Sequence, residues 1–117
     1  VVIEYVHATR YYQNKGTGDI KYIYDPPIDS VANKNILLLD DILDEGITIL
    51  NIKKKMIELD AKAVLTAVLF DKKLNKKKPI SADFVGLLVP NKYVFGFGLD
   101  FKGQGRNLPH LYSFNES

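Results

Sequence analysis

The strongest constraint on the fold is a strand–helix–strand pattern that occupies residues 36–70. Residues 36–39 are four consecutive apolar residues, a run typical of a parallel-sheet strand covered on both faces. A helix is predicted to begin near Ile47, because apolar side chains then recur at helical spacing, and residues 63–70 form the next buried strand. A right-handed crossover is the expected connection between two such strands. The pattern therefore predicts an α/β fold with a parallel core.

Shorter elements are predicted on both sides of this unit. A β-type run covers residues 1–9, with residues 1–6 already strand-like, and residues 20–24 form a second short strand that ends at two prolines. The later strand candidates are residues 84–89, 93–99 and 110–114. The chain opens in mid-strand without an initiator Met, so we expect residues 1–117 to be a single domain that lacks its N-terminal segment.

Composition excludes several classes of function. The chain of 117 residues carries 16 Lys plus Arg against 14 Asp plus Glu, and a net charge of +2 is too small for a nucleic-acid footprint. Because there is no cysteine, disulfides, thiolate zinc sites and thiol catalysis are excluded. No apolar run approaches the roughly 20 residues of a membrane helix. We expect a cytoplasmic protein that binds neither nucleic acid nor membrane.

The turn after the first buried strand carries the most chemistry. Four acids stand within six residues there: Asp40, Asp41, Asp44 and Glu45. A helix dipole accounts for acids in a first helical turn, whereas two adjacent carboxylates at a strand end repel each other unless a cation or hydroxyl groups satisfy them. Gly46 and Thr48 can offer backbone and hydroxyl donors to an anion. Acids for sugar hydroxyls beside donors for a phosphate predict a ribose-phosphate pocket.

Residues 38–48 resemble the phosphoribosyl-pyrophosphate-binding motif of type I phosphoribosyltransferases, in which two acids and two apolar residues precede an acid that leads a phosphate loop. The resemblance extends to the hypoxanthine/guanine branch of this family through four further segments: residues 69–72, 83–86, 89–94, and 98–100 followed by Arg106. It implies a parallel sheet flanked by helices and a Mg²⁺-dependent purine-salvage enzyme. Such an enzyme transfers phosphoribosyl from 5-phosphoribosyl 1-pyrophosphate to hypoxanthine or guanine, a 6-oxopurine base, giving IMP or GMP and pyrophosphate. Family members are commonly dimers or tetramers, which implies a homo-oligomer.

The resemblance assigns roles to the acidic turn. Asp40 and Asp41 would hold the ribose hydroxyls, directly or through metal-bound water, and Asp44 would be the catalytic residue that manages the proton of purine N7. The 5′-phosphate would be cradled by five consecutive residues: Asp44, Glu45, Gly46, Ile47 and Thr48. Family members often carry threonine and lysine at the second and fourth of these positions. Glu45 is therefore expected to point away from the phosphate.

The resemblance also assigns the base and pyrophosphate sides of the site. Lys72 would donate to the purine 6-oxygen, because an ammonium group has only donors; without the resemblance it would count as one of several solvated loop lysines. Tyr93 would stack on the base, with a core aromatic as the alternative, and Val94 would contribute backbone groups. Asp100 would bind Mg²⁺ and Arg106 would reach the pyrophosphate. A surface salt bridge is the alternative for each of these two.

Residues 10–19 occupy the place of the family's mobile lid. Family members often have Ser-Tyr where this chain has Arg10-Tyr11, so Tyr11 is the expected lid contact. The segment before Val1 would supply the first core strand and a pyrophosphate-binding loop, so the isolated fragment is expected to be inactive.

Other classes of protein fit the sequence less well than this enzyme. The main alternative is a phosphoribosyltransferase-like regulatory domain that binds a nucleotide without turnover. An RNA-binding regulator is disfavoured because the lysine-rich loop at residues 72–78 lacks interleaved aromatics. A receiver-type phospho-acceptor domain is disfavoured because it gives no reason for a phosphate loop at residues 46–48.

Overall fold

The protein is built around a three-stranded parallel sheet. The computed structural model describes residues 1–11 and 19–114, with elements in the order β1 (His7–Tyr11), β2 (Asp19–Tyr24), a 3₁₀ helix (Ile28–Ser30), β3 (Asn35–Leu43), α1 (Ile47–Glu58), β4 (Ala63–Lys72), β5 (Phe84–Val89), β6 (Val94–Phe95) and β7 (Tyr112–Ser113). The sheet order is β3-β4-β5, with both pairs parallel. The predicted α/β fold with a parallel core is confirmed, and α1 begins at the predicted residue.

Two small antiparallel ribbons accompany the sheet; β2 agrees with the strand predicted over residues 20–24, whereas the other three strands begin later or are shorter than predicted. β1 pairs with β2, and β6 pairs with β7. Residues 1–6 lie outside any strand, so the prediction of a strand from the first residue is wrong. β-type composition alone does not make a strand, because a strand also needs a hydrogen-bonded neighbour. The strand predicted over residues 93–99 ends after Phe95, since Gly96, Phe97 and Gly98 all have positive φ angles.

Helix α1 covers one face of the sheet. Ile52 and Met56 pack with Val31, and the half-buried Ile36 and Val64 contact this cluster from the sheet. A second cluster joins α1 to the carboxyl-terminal half of β3: Leu43, Ile49 and Val68. The spacing of the buried residues on α1 is that of one helical face, which is why the sequence pattern located the helix correctly.

The opposite face of the sheet is exposed in the part of the chain that the structure describes. Along β3, Ile36 and Leu38 are half-buried, whereas Leu37 and Leu39 are 54% and 75% exposed. Leu65 and Phe84 extend the same apolar surface across β4 and β5. The consecutive apolar run in β3 had predicted burial on both faces. Among the described residues, only the α1 face is covered.

None of the helices within residues 1–11 and 19–114 is both long enough and apolar enough to cross a membrane.

The packing of α1 predicts a clear contrast between two adjacent side chains. Met56 is 2% exposed and Ile57 is 56% exposed. Met56→Ala should lower the free energy of unfolding by about 2–4 kcal/mol, because it removes buried contacts and leaves a cavity. Ile57→Ala, the matched control, should change it by less than about 0.5 kcal/mol. Urea denaturation of both variants measures these values, and equal losses would contradict the assignment of the buried face.

Candidate active site

The acidic turn lies at the carboxyl edge of the parallel sheet. β3 continues through Leu43, so Asp40 and Asp41 are strand residues rather than residues that follow the strand. Asp40 pairs with Val68 of β4, and Leu43 pairs with Asp71. Residues 44–46 then form the turn into α1. This edge is where ligands of open α/β sheets bind.

Asp40 and Asp41 present two neighbouring carboxyl groups, and each accepts a hydrogen bond from the next backbone amide. The Asp41 amide donates to Asp40 Oδ1 at 2.8 Å, and the Ile42 amide donates to Asp41 Oδ1 at 2.7 Å. Although Asp40 reaches the surface, loss of surrounding water and the neighbouring Asp41 carboxyl raise its pKa to about 6. A pair of this kind favours a ligand that brings hydroxyl donors or a positive charge.

The start of α1 is arranged to receive an anion. Gly46 is the N-cap residue of the helix, with a φ of 86°, and as a glycine it has no side chain that could cap the first turn. The first backbone bond of the helix runs from the Leu50 amide to the Gly46 carbonyl at 3.0 Å, so the amides of residues 47–49 have no partner within the helix. A depression of about 490 Å³ opens over this turn and is lined by Arg10 and residues 40–49. The predicted phosphate-binding residues therefore surround one cavity.

Glu45 is held by two cations. Arg10 Nη1 donates to Glu45 Oε2 at 2.5 Å, and Lys76 Nζ lies 3.7 Å from Glu45 Oε1. The hydrogen bond from Arg10, followed by the charge of Lys76, holds the pKa of Glu45 below its usual value. Sequence reasoning had named Arg10 only as a departure from the family pattern. The sequence did contain a signal for this pair. Arg10 and Glu45 both differ from the residues that family members often carry at these positions, and their charges are opposite.

Lys72 and Asp44 meet at the same edge. Lys72 is the last residue of β4 and only 8% exposed, and its Nζ donates to Asp44 Oδ2 at 3.1 Å. The alternative in which Lys72 is a solvated loop lysine is wrong. A second depression of about 410 Å³ adjoins the first, sharing Asp44 and Glu45 with it, and its other lining residues are Lys72, Leu74, Asn75, Lys76 and Asn91.

Lys78 departs from the solvated loop that the sequence predicts for its lysines. Its Nζ lies 2.5 Å from Asp71 Oδ1 and 2.9 Å from the carbonyl oxygen of Leu43, which fixes the loop to the sheet edge beside the turn.

The residues predicted for the far side of the site form a separate group. Tyr93 is exposed, donates its hydroxyl to the Asp100 carbonyl at 3.1 Å and packs edge-on against Phe101. Val94 packs half-buried against a cluster that includes Leu99. Arg106 Nη2 lies 3.6 Å from Asp100 Oδ1. The four predicted residues (Tyr93, Val94, Asp100 and Arg106) line neither depression in the described structure.

The predicted lid is described only at its edges. Tyr11 is the last residue of β1, and residues 12–18 of the lid predicted at 10–19 lie outside the described residues. Among the residues that are described, no group of three or more acids or histidines could hold a metal ion.

Comparison with known proteins agrees with this arrangement. The phosphoribosyl transferase domain family matches residues 1–102. The hypoxanthine-guanine phosphoribosyltransferase of Aquifex aeolicus is 40% identical over 113 residues, which are 96% of this chain and 63% of that protein. The solved structure of a hypoxanthine phosphoribosyltransferase from Staphylococcus aureus superposes with a TM-score of 0.83 at 28% identity, covering 94% of this chain and 60% of the other.

A structure of the Trypanosoma cruzi hypoxanthine phosphoribosyltransferase in complex with its product IMP gives a TM-score of 0.80 at 25% identity, over 94% of this chain and 55% of that one. The fold and the site define an α/β protein whose ligand crevice lies at the carboxyl ends of its parallel strands. The chain belongs to the phosphoribosyl transferase domain family. It spans between half and two thirds of the length of these relatives.

The geometry of the turn predicts that Gly46 cannot be replaced without cost. A Cβ atom at Gly46 would lie 3.0 Å from Ile80 Cγ2, and the φ of 86° is unfavourable for any L-residue. Gly98 has a similar φ of 98° but nothing within 4 Å of such a Cβ, so Gly98→Ala is a matched control for backbone strain alone. Gly46→Ala should therefore lower the unfolding free energy more than Gly98→Ala, whose cost is about 1 kcal/mol. Equal losses in urea denaturation would contradict a crowded turn.

Proposed function

We propose that this protein is a hypoxanthine/guanine phosphoribosyltransferase of purine salvage. It would transfer phosphoribosyl from 5-phosphoribosyl 1-pyrophosphate to a 6-oxopurine base and release IMP or GMP and pyrophosphate. The observation that carries the proposal is the contact of Lys72 Nζ with Asp44 Oδ2 at 3.1 Å, beside the helix start that can receive a phosphate. A donor for a 6-oxo group and an acceptor for a purine proton then stand next to the phosphate position.

The 5′-phosphate would bind at residues 44–48. The amides at the start of α1 and the Thr48 hydroxyl would supply donors, and the positive end of the helix dipole would favour the charge. Asp40 and Asp41 would accept hydrogen bonds from the ribose 2′ and 3′ hydroxyls. Hydroxyl donors would relieve the repulsion between the two carboxyl groups, which agrees with the raised pKa of Asp40.

Magnesium fits the donors that this chain offers. Asp40, Asp41 and Asp100 present carboxylate oxygens, and Mg²⁺ is usually held by one or two carboxylates together with water and substrate oxygens. Binding of Mg²⁺ here would therefore not require three or more protein ligands. When bound, Mg²⁺ would neutralise charge that develops on the departing pyrophosphate.

The purine would lie over the second depression. Lys72 would donate to its 6-oxygen, Asp44 would accept the N7 proton as the new bond forms, and Tyr93 and Val94 would contact the base when the site closes. Arg106 would contact the pyrophosphate and Tyr11 would belong to the lid. Closure of a lid excludes water from a centre that could otherwise be hydrolysed.

The remaining predictions concern the setting of the protein. A cytoplasmic location, a homodimer or homotetramer, and no nucleic-acid or membrane partner all remain proposals.

Replacement of Asp44 tests the catalytic role. Asp44→Asn keeps the size of the side chain and an acceptor toward Lys72 but cannot hold the purine proton. In the full-length protein, kcat should fall by about 10²-fold or more, because general-base assistance contributes that much. The KM for 5-phosphoribosyl 1-pyrophosphate should change by less than about threefold, since the carboxylate does not bind the phosphate. Pyrophosphate release with hypoxanthine measures both constants.

Asp29→Asn is the control for Asp44→Asn. Asp29 lies in the 3₁₀ helix, whose neighbour Val31 packs against Met56 at the far end of α1 from the turn, so neither constant should change. An equal loss in kcat and in substrate binding for Asp44→Asn would indicate a structural role. Nucleotide binding by the unmodified protein without any turnover would favour the regulatory-domain alternative.

Replacement of Lys72 tests the choice of base. Lys72→Ala should lower kcat/KM for hypoxanthine and guanine by about ten- to a hundredfold, which corresponds to the loss of one charge-assisted hydrogen bond. Discrimination against adenine should fall at the same time. Lys73→Ala is the matched control, because Lys73 is the next residue and is exposed. A preference of the unmodified protein for adenine would contradict the proposal.

A further inference from the structure

The Arg10–Glu45 ion pair joins the ribbon to the acidic turn. Arg10 is the penultimate residue of β1, and Glu45 lies 35 positions later, directly before Gly46. The two side chains meet at 2.5 Å and are 24% and 41% exposed, so the pair is partly shielded from water. Both residues line the depression over the start of α1. The pair is therefore part of the cavity wall.

Glu45 poses an electrostatic problem for any anion in this cavity. A carboxylate beside the donors of a helix start repels a phosphate, because both groups are negatively charged. Two cations face this carboxylate, Arg10 and Lys76. Lys76 is 66% exposed and stands 3.7 Å away, so solvent weakens its effect. Arg10 is closer and less exposed, and it is the principal counter-charge.

We propose that Arg10 is a positioning residue for phosphate binding, which acts by holding and neutralising the Glu45 carboxylate so that an anion can occupy the start of α1. The proposal rests on the proposed function, because it names a residue that tunes the same phosphate position. With its charge neutralised by Arg10, the Glu45 carboxylate no longer opposes an anion at the start of α1.

This proposal predicts that the effect of replacing Arg10 depends on Glu45. Without Arg10, the Glu45 carboxylate is released beside the phosphate and binding weakens. Without both charges, no repulsion remains and binding recovers. A residue that bound the phosphate directly would give the same loss in either background, so a double-mutant cycle separates the two roles.

The experiment measures the Kd of ribose 5-phosphate by calorimetry for the full-length protein and its variants. Arg10→Gln should weaken binding by about tenfold, Glu45→Gln should strengthen it by about two- to threefold, and the double variant should bind within about threefold of the unmodified protein. Arg10→Lys should lose less affinity than Arg10→Gln, because it keeps the charge without the fork of the guanidinium. Lys77→Gln, at an exposed lysine beside Lys76, is the control for a general loss of positive charge.

Two results would overturn the proposal. If the double variant binds as weakly as Arg10→Gln, Arg10 acts on the ligand without Glu45. If Glu45→Gln weakens binding as much as Arg10→Gln, the pair has only a structural role. Thermal unfolding of each variant identifies any that fail to fold, and Arg10→Lys then carries the comparison.

The proposed function can fail separately. Ribose 5-phosphate binding that follows the cycle, in a protein that forms no nucleotide, would overturn the enzyme and leave the role of Arg10 intact. An unmodified protein that does not bind ribose 5-phosphate would overturn both.

Discussion

The parallel register of β3 against β4 decides which side chains can meet at the carboxyl edge of the sheet. Leu43, the last residue of β3, pairs with Asp71, so Asp44, which follows β3, lies level with Lys72, the last residue of β4. Their side chains then meet at 3.1 Å. A shift of one residue would turn the side chains of a strand to the opposite face. The contact between the acid and the ammonium group therefore depends on the packing of β3 and β4 against α1.

The four acids of the turn face two different kinds of partner. Asp44 and Glu45 face cations that come from other elements, Lys72 from β4 and Arg10 from β1. Asp40 faces Asp41 instead, and the pKa of Asp40 rises to about 6. Asp44 and Glu45 thus have cationic partners within the protein, whereas Asp40 and Asp41 face each other and gain most from a ligand. This division places the demand for hydroxyl groups or a cation on β3, and leaves the start of α1 suited to an anion.

Local patterns predicted what depends on local sequence, and long-range contacts limited the rest. Helix α1 could be predicted because a buried stripe repeats along a single segment. Whether both faces of β3 are buried could not be predicted correctly. The apolar side chains of Leu37 and Leu39 show that this face can be buried, but they do not show which element would cover it. The strand over residues 93–99 failed for a local reason, three successive positive φ angles, one of them at the non-glycine residue Phe97.

The same difference between local sequence and long-range contacts applies to the candidate site. The acidic turn was visible as a cluster in the sequence, and residues 40–49 do line one depression. The Arg10–Glu45 pair spans 35 positions and depends on where β1 lies relative to the turn, which the sequence does not specify. The burial of Lys72 was equally hidden, because its neighbours in the sequence are exposed lysines while its neighbours in space are the ends of two strands.

The contacts of the lysine-rich segment at residues 72–78, which begins with the last residue of β4, change the interpretation of its charges. Three of its lysines are directed to acids of the same chain: Lys72 to Asp44, Lys76 to Glu45 and Lys78 to Asp71. Cations that are neutralised in this way contribute little to the field outside the protein, and a phosphate backbone is attracted by that field. The cluster of charges that most resembled a nucleic-acid-binding loop in the sequence therefore stabilises the edge of the candidate active site.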